Sequence, residues 1–160
     1  MRKYTNSRRL TDWDYAAPGW YFVTLCTKMM VHYFGEVRDG KVSLSDEGQI
    51  VKDEILRTEE IRQNVEIDSF TIMPNHVHLI VIINEIDSVV TPRRGVTTEK
   101  IKHWKPNCLG SIINQIKGAC TRQIHQKFNS SFAWQPRFYD HIIRTERDLE
   151  NLRLYIVLNP

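Results

Sequence analysis

Cysteine is scarce in this 160-residue chain. Cys26, Cys108 and Cys120 are odd in number, widely spaced and without a Cys-x-x-Cys pair. That pattern is no disulfide framework and no four-cysteine zinc site, and a reducing cytoplasm is the expected compartment. Long hydrophobic runs are also missing. The longest, Leu79 to Ile83, falls far short of the roughly 20 apolar residues of a membrane-spanning helix. The first residues, Met1 to Asn6, open no apolar stretch, so no secretory leader is expected. Glycine and proline, at 7 and 6 residues, are too few for a collagen-like or low-complexity chain. What is present suits an ordinary globular fold: 41% hydrophobic and 26% charged residues, in a length that fits a single domain over 1–160.

The net charge of +3 says less than its distribution. Residues 1–9 carry Arg2, Lys3, Arg8 and Arg9 and no acid. Residues 91–105 carry Arg93, Arg94, Lys100, Lys102 and Lys105 against Glu99, and 109–127 carry Lys117, Arg122 and Lys127 without an acid. The stretch 45–63 leans the other way, with six acids and three bases. Basic clusters of this kind suit a phosphate backbone. They equally suit solvated loops and helix faces.

The periodicity supplies the elements. Trp20 to Thr27 is aromatic and β-branched, the composition of a strand. Asp39-Gly40 between Tyr33–Arg38 and Lys41–Leu44 is a two-residue hairpin signal. Ser45 is a helix cap, with Asp46 and Glu47 at the positive end of the dipole and Ile50, Ile55 and Ile61 on one face. Strands follow at 65–72 and 76–83 around Pro74-Asn75. Residues 85–107 have no usable period and two prolines, and read as a long mobile loop. A helix opens at Leu109-Gly110-Ser111, a strand runs from Tyr139 to Arg144, and Thr145 caps a last helix with apolar positions at Leu149, Leu152, Leu154, Ile156 and Val157. Without the hairpin the order is β-α-β-β-α-β. This is the ferredoxin-like α+β fold, a split β-α-β sandwich whose antiparallel sheet has helices on one face, followed by the C-terminal helix.

Four groups of residues bear on chemistry. His76 and His78 alternate along a strand and so share a face. Two imidazoles there can hold one divalent metal if a third ligand arrives from elsewhere; they can also be plain polar residues on a solvent face. Tyr155 and Asn159 stand four apart on the last helix. A tyrosine hydroxyl is a nucleophile and an amide oxygen a hard ligand, while a packed core tyrosine is the simpler account. Gly35 to Lys41 matches most of a phosphate-binding loop, yet Val42 stands where Ser or Thr is needed and the string lies in a hairpin. No nucleotide cofactor is therefore expected. Finally, Trp134-Gln135-Pro136-Arg137-Phe138-Tyr139-Asp140-His141 mixes Arg with aromatics. Such a mixture grips phosphate and stacks bases, or else packs Trp134 and Phe138 into the core.

Taken together, these segments resemble a known family. Met73-Pro74-Asn75-His76-Val77-His78-Leu79-Ile80 resembles the His-hydrophobic-His motif of the single-tyrosine transposases in the HUH endonuclease superfamily. Residues Trp134 to Arg144 resemble the segment before the catalytic helix in the REP-associated branch, and Leu154 to Pro160 the helix that carries the nucleophile. The likeness runs from about Trp20 to Pro160. It implies that His76 and His78 bind Mg2+ or Mn2+, that Asn159 takes the place of the third ligand, and that Tyr155 attacks single-stranded DNA. The product would be a 5′-phosphotyrosine that a 3′-hydroxyl later resolves, so that cleavage and strand transfer in DNA transposition need no nucleotide fuel. The implied partner is DNA with hairpin ends, bound by a monomer or by a homodimer that exchanges tyrosine helices. Arg93, Arg94, Lys117, Arg122, Trp134 and Arg137 are the candidate DNA contacts. Three other readings stay open: a catalytically silent hairpin-binding protein of the same ancestry, a His-metal nuclease using water, and an RNA-binding ferredoxin-like module. The last would place exposed aromatics on its central strands, where His76 and His78 stand instead.

Overall fold

The computed structural model describes residues 14–85, 108–128 and 131–159. The expected loop at 85–107, apart from Glu85, lies outside the described residues, as do Arg93 and Arg94.

Strand β1 (Gly19–Cys26) is followed by a one-turn corner at Lys28–Met30 and the hairpin β2 (Gly35–Arg38) and β3 (Lys41–Leu44). Asp39 and Gly40 both have positive φ, 49° and 69°, the turn that matches strand twist. Gly35 (φ 139°) lies so close to β3 that a Cβ would fall 2.1 Å from the Ser43 carbonyl. Both glycines of the phosphate-loop-like string are thus explained by the hairpin.

Helix α1 (Asp46–Ile61) begins at Ser45, whose hydroxyl accepts from the Gly48 N–H. Ile50, Val51 and Ile55 are buried, whereas Ile61, expected on the same face, is half exposed in the helix's last turn. Strands β4 (Val65–Met73) and β5 (His76–Ile83), helix α2 (Leu109–Phe128), strand β6 (Tyr139–Ile143) and helix α3 (Glu146–Leu158) complete the order. Thr145 caps α3 by accepting from the Asp148 N–H. The four-stranded sheet runs β4-β5-β1-β6, every pair antiparallel, with the β2–β3 ribbon apart from it. This is the ferredoxin-like order expected from β-α-β-β-α-β.

Strand alternation divides the sheet into two faces. Tyr21, Val23 and Leu25 of β1 join Val77, Leu79, Val81 and Ile83 of β5 in one core with α1 and α2. Phe22 and Ile80 point the other way and form a second core with Ile143, Leu149 and Ile156. So α1 and α2 cover one face, and α3 lies on the opposite one. Of the apolar positions expected on α3, Leu149 and Ile156 are buried and Leu152 partly buried, while Leu154 and Val157 are exposed. A bidentate ion pair supplements this small core: Arg153 donates Nε–H and Nη2–H to the two carboxylate oxygens of Asp68 on β4. His141 on β6 bonds Asp148 on α3 at 2.8 Å.

Candidate active site

The site grows from the pairing of β1 with β5, which sets Thr24 opposite His78 and Cys26 opposite His76. His76 and His78 rise from the face that α3 covers. Their Nε2 atoms converge to 3.1 Å. Tyr155 comes from α3, and its hydroxyl lies 3.2 Å from His78 Nε2. Phe22 is the floor: its ring stacks on His78 at 5.3 Å between centroids and meets Tyr155 edge-on at 6.1 Å. Tyr155 is 47% exposed, so it is not the packed core tyrosine that its apolar neighbours allowed.

Each imidazole is oriented from behind. His78 Nδ1 bonds the Thr24 hydroxyl at 2.9 Å, and His76 Nδ1 bonds the Asn75 side-chain oxygen at 2.7 Å. The Asn75 amide nitrogen donates to the Met30 carbonyl, which turns its oxygen toward His76. An amide oxygen only accepts. His76 therefore carries its proton on Nδ1 and presents a lone pair at Nε2. Outer partners of this kind fix the tautomer of metal-binding histidines. Burial lowers the pKa of both rings, and the charge of His76 adds to the effect on His78, which falls to about 4. Both are neutral at pH 7, the state a ligand requires.

The pair fits a small divalent ion. Two nitrogen ligands at right angles, with bonds of about 2.1 Å, stand about 3.0 Å apart. The observed separation of the Nε2 atoms is 3.1 Å. Among the described residues no cluster of three or more His, Cys, Asp or Glu could hold a metal. Any further ligand among the described residues would be of another type. Asn159 is the C-cap of α3, one turn past Tyr155, and its Nδ2 donates to the Tyr155 carbonyl at 3.1 Å.

The candidate DNA contacts separate into different environments. Trp134 is buried at 8% exposure, packed against Phe34 and Phe132, with its indole N–H on the Lys117 carbonyl. This corrects its reading as a stacking platform, because a ring enclosed in this way offers no face to a base. The Lys117 ammonium donates to the carbonyls of Gln135 and Arg137 at 2.7 and 3.0 Å, and burial lowers its pKa. It clamps the 134–137 segment. Arg137 is exposed and has a positive φ of 70°, and Arg122 is exposed on α2. Asn75 and Thr24 are positioning residues that the sequence reading passed over. Asn75 had a signal, its place directly before His76. Thr24 had none, because its partner is 54 residues away.

No family model matches the chain. A Haemophilus influenzae protein without a functional name is 31% identical over 159 residues, 98% of this chain and 88% of the relative. A second protein of that organism, provisionally named a REP-associated tyrosine transposase, is 33% identical over 90 residues, 56% of this chain and 46% of its own length. The REP-associated tyrosine transposase of Escherichia coli is 26% identical over 117 residues, 73% of this chain and 56% of its own length. The chain thus spans about half of each named transposase. The fold is shared with a solved REP-associated tyrosine transposase bound to a REP hairpin: TM-score 0.58, 23% identity, covering 89% of this chain and 66% of the other. In part of its sequence and in its fold, the chain is similar to REP-associated tyrosine transposases.

Proposed function

We propose that this protein cleaves and rejoins single-stranded DNA beside hairpins, with Tyr155 as the nucleophile and His76 and His78 as the metal pair. One observation carries the reading: the half-exposed Tyr155 hydroxyl stands 3.2 Å from a histidine nitrogen that itself converges on a second histidine nitrogen. Residues 77 positions apart in sequence are brought to one point. The solved relative's REP hairpin supplies the substrate class of the proposal.

Magnesium or manganese, held by His76 and His78 with Asn159 as proposed third ligand, would supply charge to polarise the scissile phosphate and stabilise the leaving oxygen. The protein's own part is to place the nucleophile. Tyr155 makes edge-type contacts with the rings of Phe22 and His78 and stays 47% exposed, so a strand can approach it from solvent. The phenolic oxygen bonds to phosphorus as the bond to the 3′-oxygen breaks. The phenol loses its proton and the departing 3′-oxygen gains one. Reversal by another 3′-hydroxyl rejoins DNA and returns the tyrosine. One phosphoester replaces another at each step, so the absence of a phosphate-binding loop in this hairpin costs the reaction nothing.

The test uses labelled hairpin oligonucleotides with single-stranded extensions and manganese, resolved on denaturing gels. Wild type is expected to form a protein–DNA adduct; Tyr155→Phe and His76→Ala are expected to form none. Cleavage that persists in Tyr155→Phe would replace this reading with water attack. Hairpin binding by wild type without an adduct would replace it with a silent binding protein.

A further inference from the structure

Strand β1 ends at Cys26, opposite His76, and the chain then turns sharply through Lys28–Met30. Met29 and Met30 both adopt left-handed backbone, with φ of 56° and 57°. This conformation is unfavourable for any residue with a Cβ. Side-chain burial does not offset it, since Met29 is 83% exposed and Met30 44%. The corner is instead held by hydrogen bonds from three segments. The Thr27 hydroxyl bonds the carbonyls of Val31 and Asn75, Asn75 Nδ2 donates to the Met30 carbonyl, and the Lys28 N–H donates to the Ala133 carbonyl. Strain that the surroundings over-determine tends to mark a site of function.

Position and charge indicate which function. The Asn75 amide touches the Met30 carbonyl with its nitrogen and the His76 ring with its oxygen, so one side chain separates the corner from the ligand pair. Neither 27–34 nor 131–139 contains an acidic residue. Lys28 and Arg137 are exposed on these two segments. The two exposed methionines, with the Met30 sulfur accepting from the Gln135 amide at 3.6 Å, lie on segments that carry exposed cations next to the proposed site. They match an unpaired nucleotide, apolar on its base and anionic on its phosphates. Apolar wedges, methionine among them, pack against unstacked bases in this way.

We propose that Met29 and Met30 form a base platform for one unpaired nucleotide next to the scissile phosphate, with Lys28 and Arg137 on the adjoining phosphates. The proposal rests on the DNA-cleaving reading above. Its test is photocrosslinking and binding with a hairpin from beside the gene, carrying single-stranded extensions with 5-iodouracil at successive positions. The expected result is a crosslink to Met29 or Met30 from one extension position only. Met29→Gly/Met30→Gly removes both side chains while favouring the left-handed backbone, so its melting temperature should match or exceed that of wild type. Its affinity for the extended hairpin is expected to fall about tenfold, the scale of losing one stacked base. Its affinity for the same hairpin without extensions, and for manganese alone, should not change. Crosslinks confined to other residues would overturn the platform, as would wild-type affinity in the glycine pair. If wild type forms a Tyr155 adduct while the glycine pair binds normally, the platform alone is wrong. If wild type neither binds nor cleaves any hairpin, both readings fall together.

Discussion

The two faces of this sheet are built from the same strands and do opposite work. On β5, Val77, Leu79, Val81 and Ile83 enter the larger core, while His76 and His78 emerge on the other face beside Ile80. The α1–α2 face buries some twenty apolar side chains around the sheet. Among the described residues the α3 face rests on a cluster of five, with Trp20 and Leu152 packed at its margin. Thickness of core governs how much local opening costs. The fold is therefore anchored on one side, and the proposed nucleophile is carried on the other by a helix with the smaller core. The proposed metal pair and tyrosine fit the thin side because their polar atoms need access to substrate and solvent.

The sharpest contrast between the faces is chemical. Tyr155→Phe removes one hydroxyl from the thin face, and the covalent adduct should fall below detection while the melting temperature stays unchanged. Next in size is the energetic contrast. Leu79→Ala on the thick face should lower global stability by about 3–5 kcal/mol in denaturant melts. Ile156→Ala should cost less, about 2 kcal/mol, and hydrogen exchange should show α3 amides opening well before those of β1 and β5. Equal loss and uniform exchange would break the distinction. A smaller effect is expected behind the proposed ligands. Asn75→Ala leaves His76 unoriented and should weaken manganese binding about 10–100-fold, measured by calorimetry, and should cost about 1 kcal/mol of stability through the lost bond to the Met30 carbonyl. The smallest concerns pH. Hydrogen bonds from Arg153 hold the Asp68 carboxyl below its ordinary value of 3.8. A depressed folded-state pKa gives stability that is present above the unfolded value and lost as pH falls through the folded one. Protection of α3 should thus decline on acidification below about pH 4, and Asp68→Asn should abolish that dependence.

Legibility in the sequence followed the range of the interaction. Ser45 and Thr145 were readable as caps because a cap contacts residues three positions away. Asp39-Gly40 was readable because the turn's φ values are local. His76 and His78 were readable as one face because strand alternation is local too. By contrast, the apolar residues of α3 gave a misleading picture. Leu154 and Val157 look like core residues in the sequence but are exposed, because α3 meets the sheet along a narrow stripe. Trp134 was balanced between core and DNA until Phe34, about a hundred positions away, was seen to pack on it.

By itself the sequence determined the elements, their order and the pairing of two imidazoles on one side of β5. These rest on periodicities and caps that span a few residues. Only the tertiary structure decided that α3 crosses to the face opposite α1 and α2 and sets its tyrosine 3.2 Å from His78. That placement depends on Phe22, Ile80 and Ile143 meeting Leu149 and Ile156, and on Asp68 receiving Arg153. No local pattern encodes those contacts, because each joins side chains that become neighbours only when the sheet has formed.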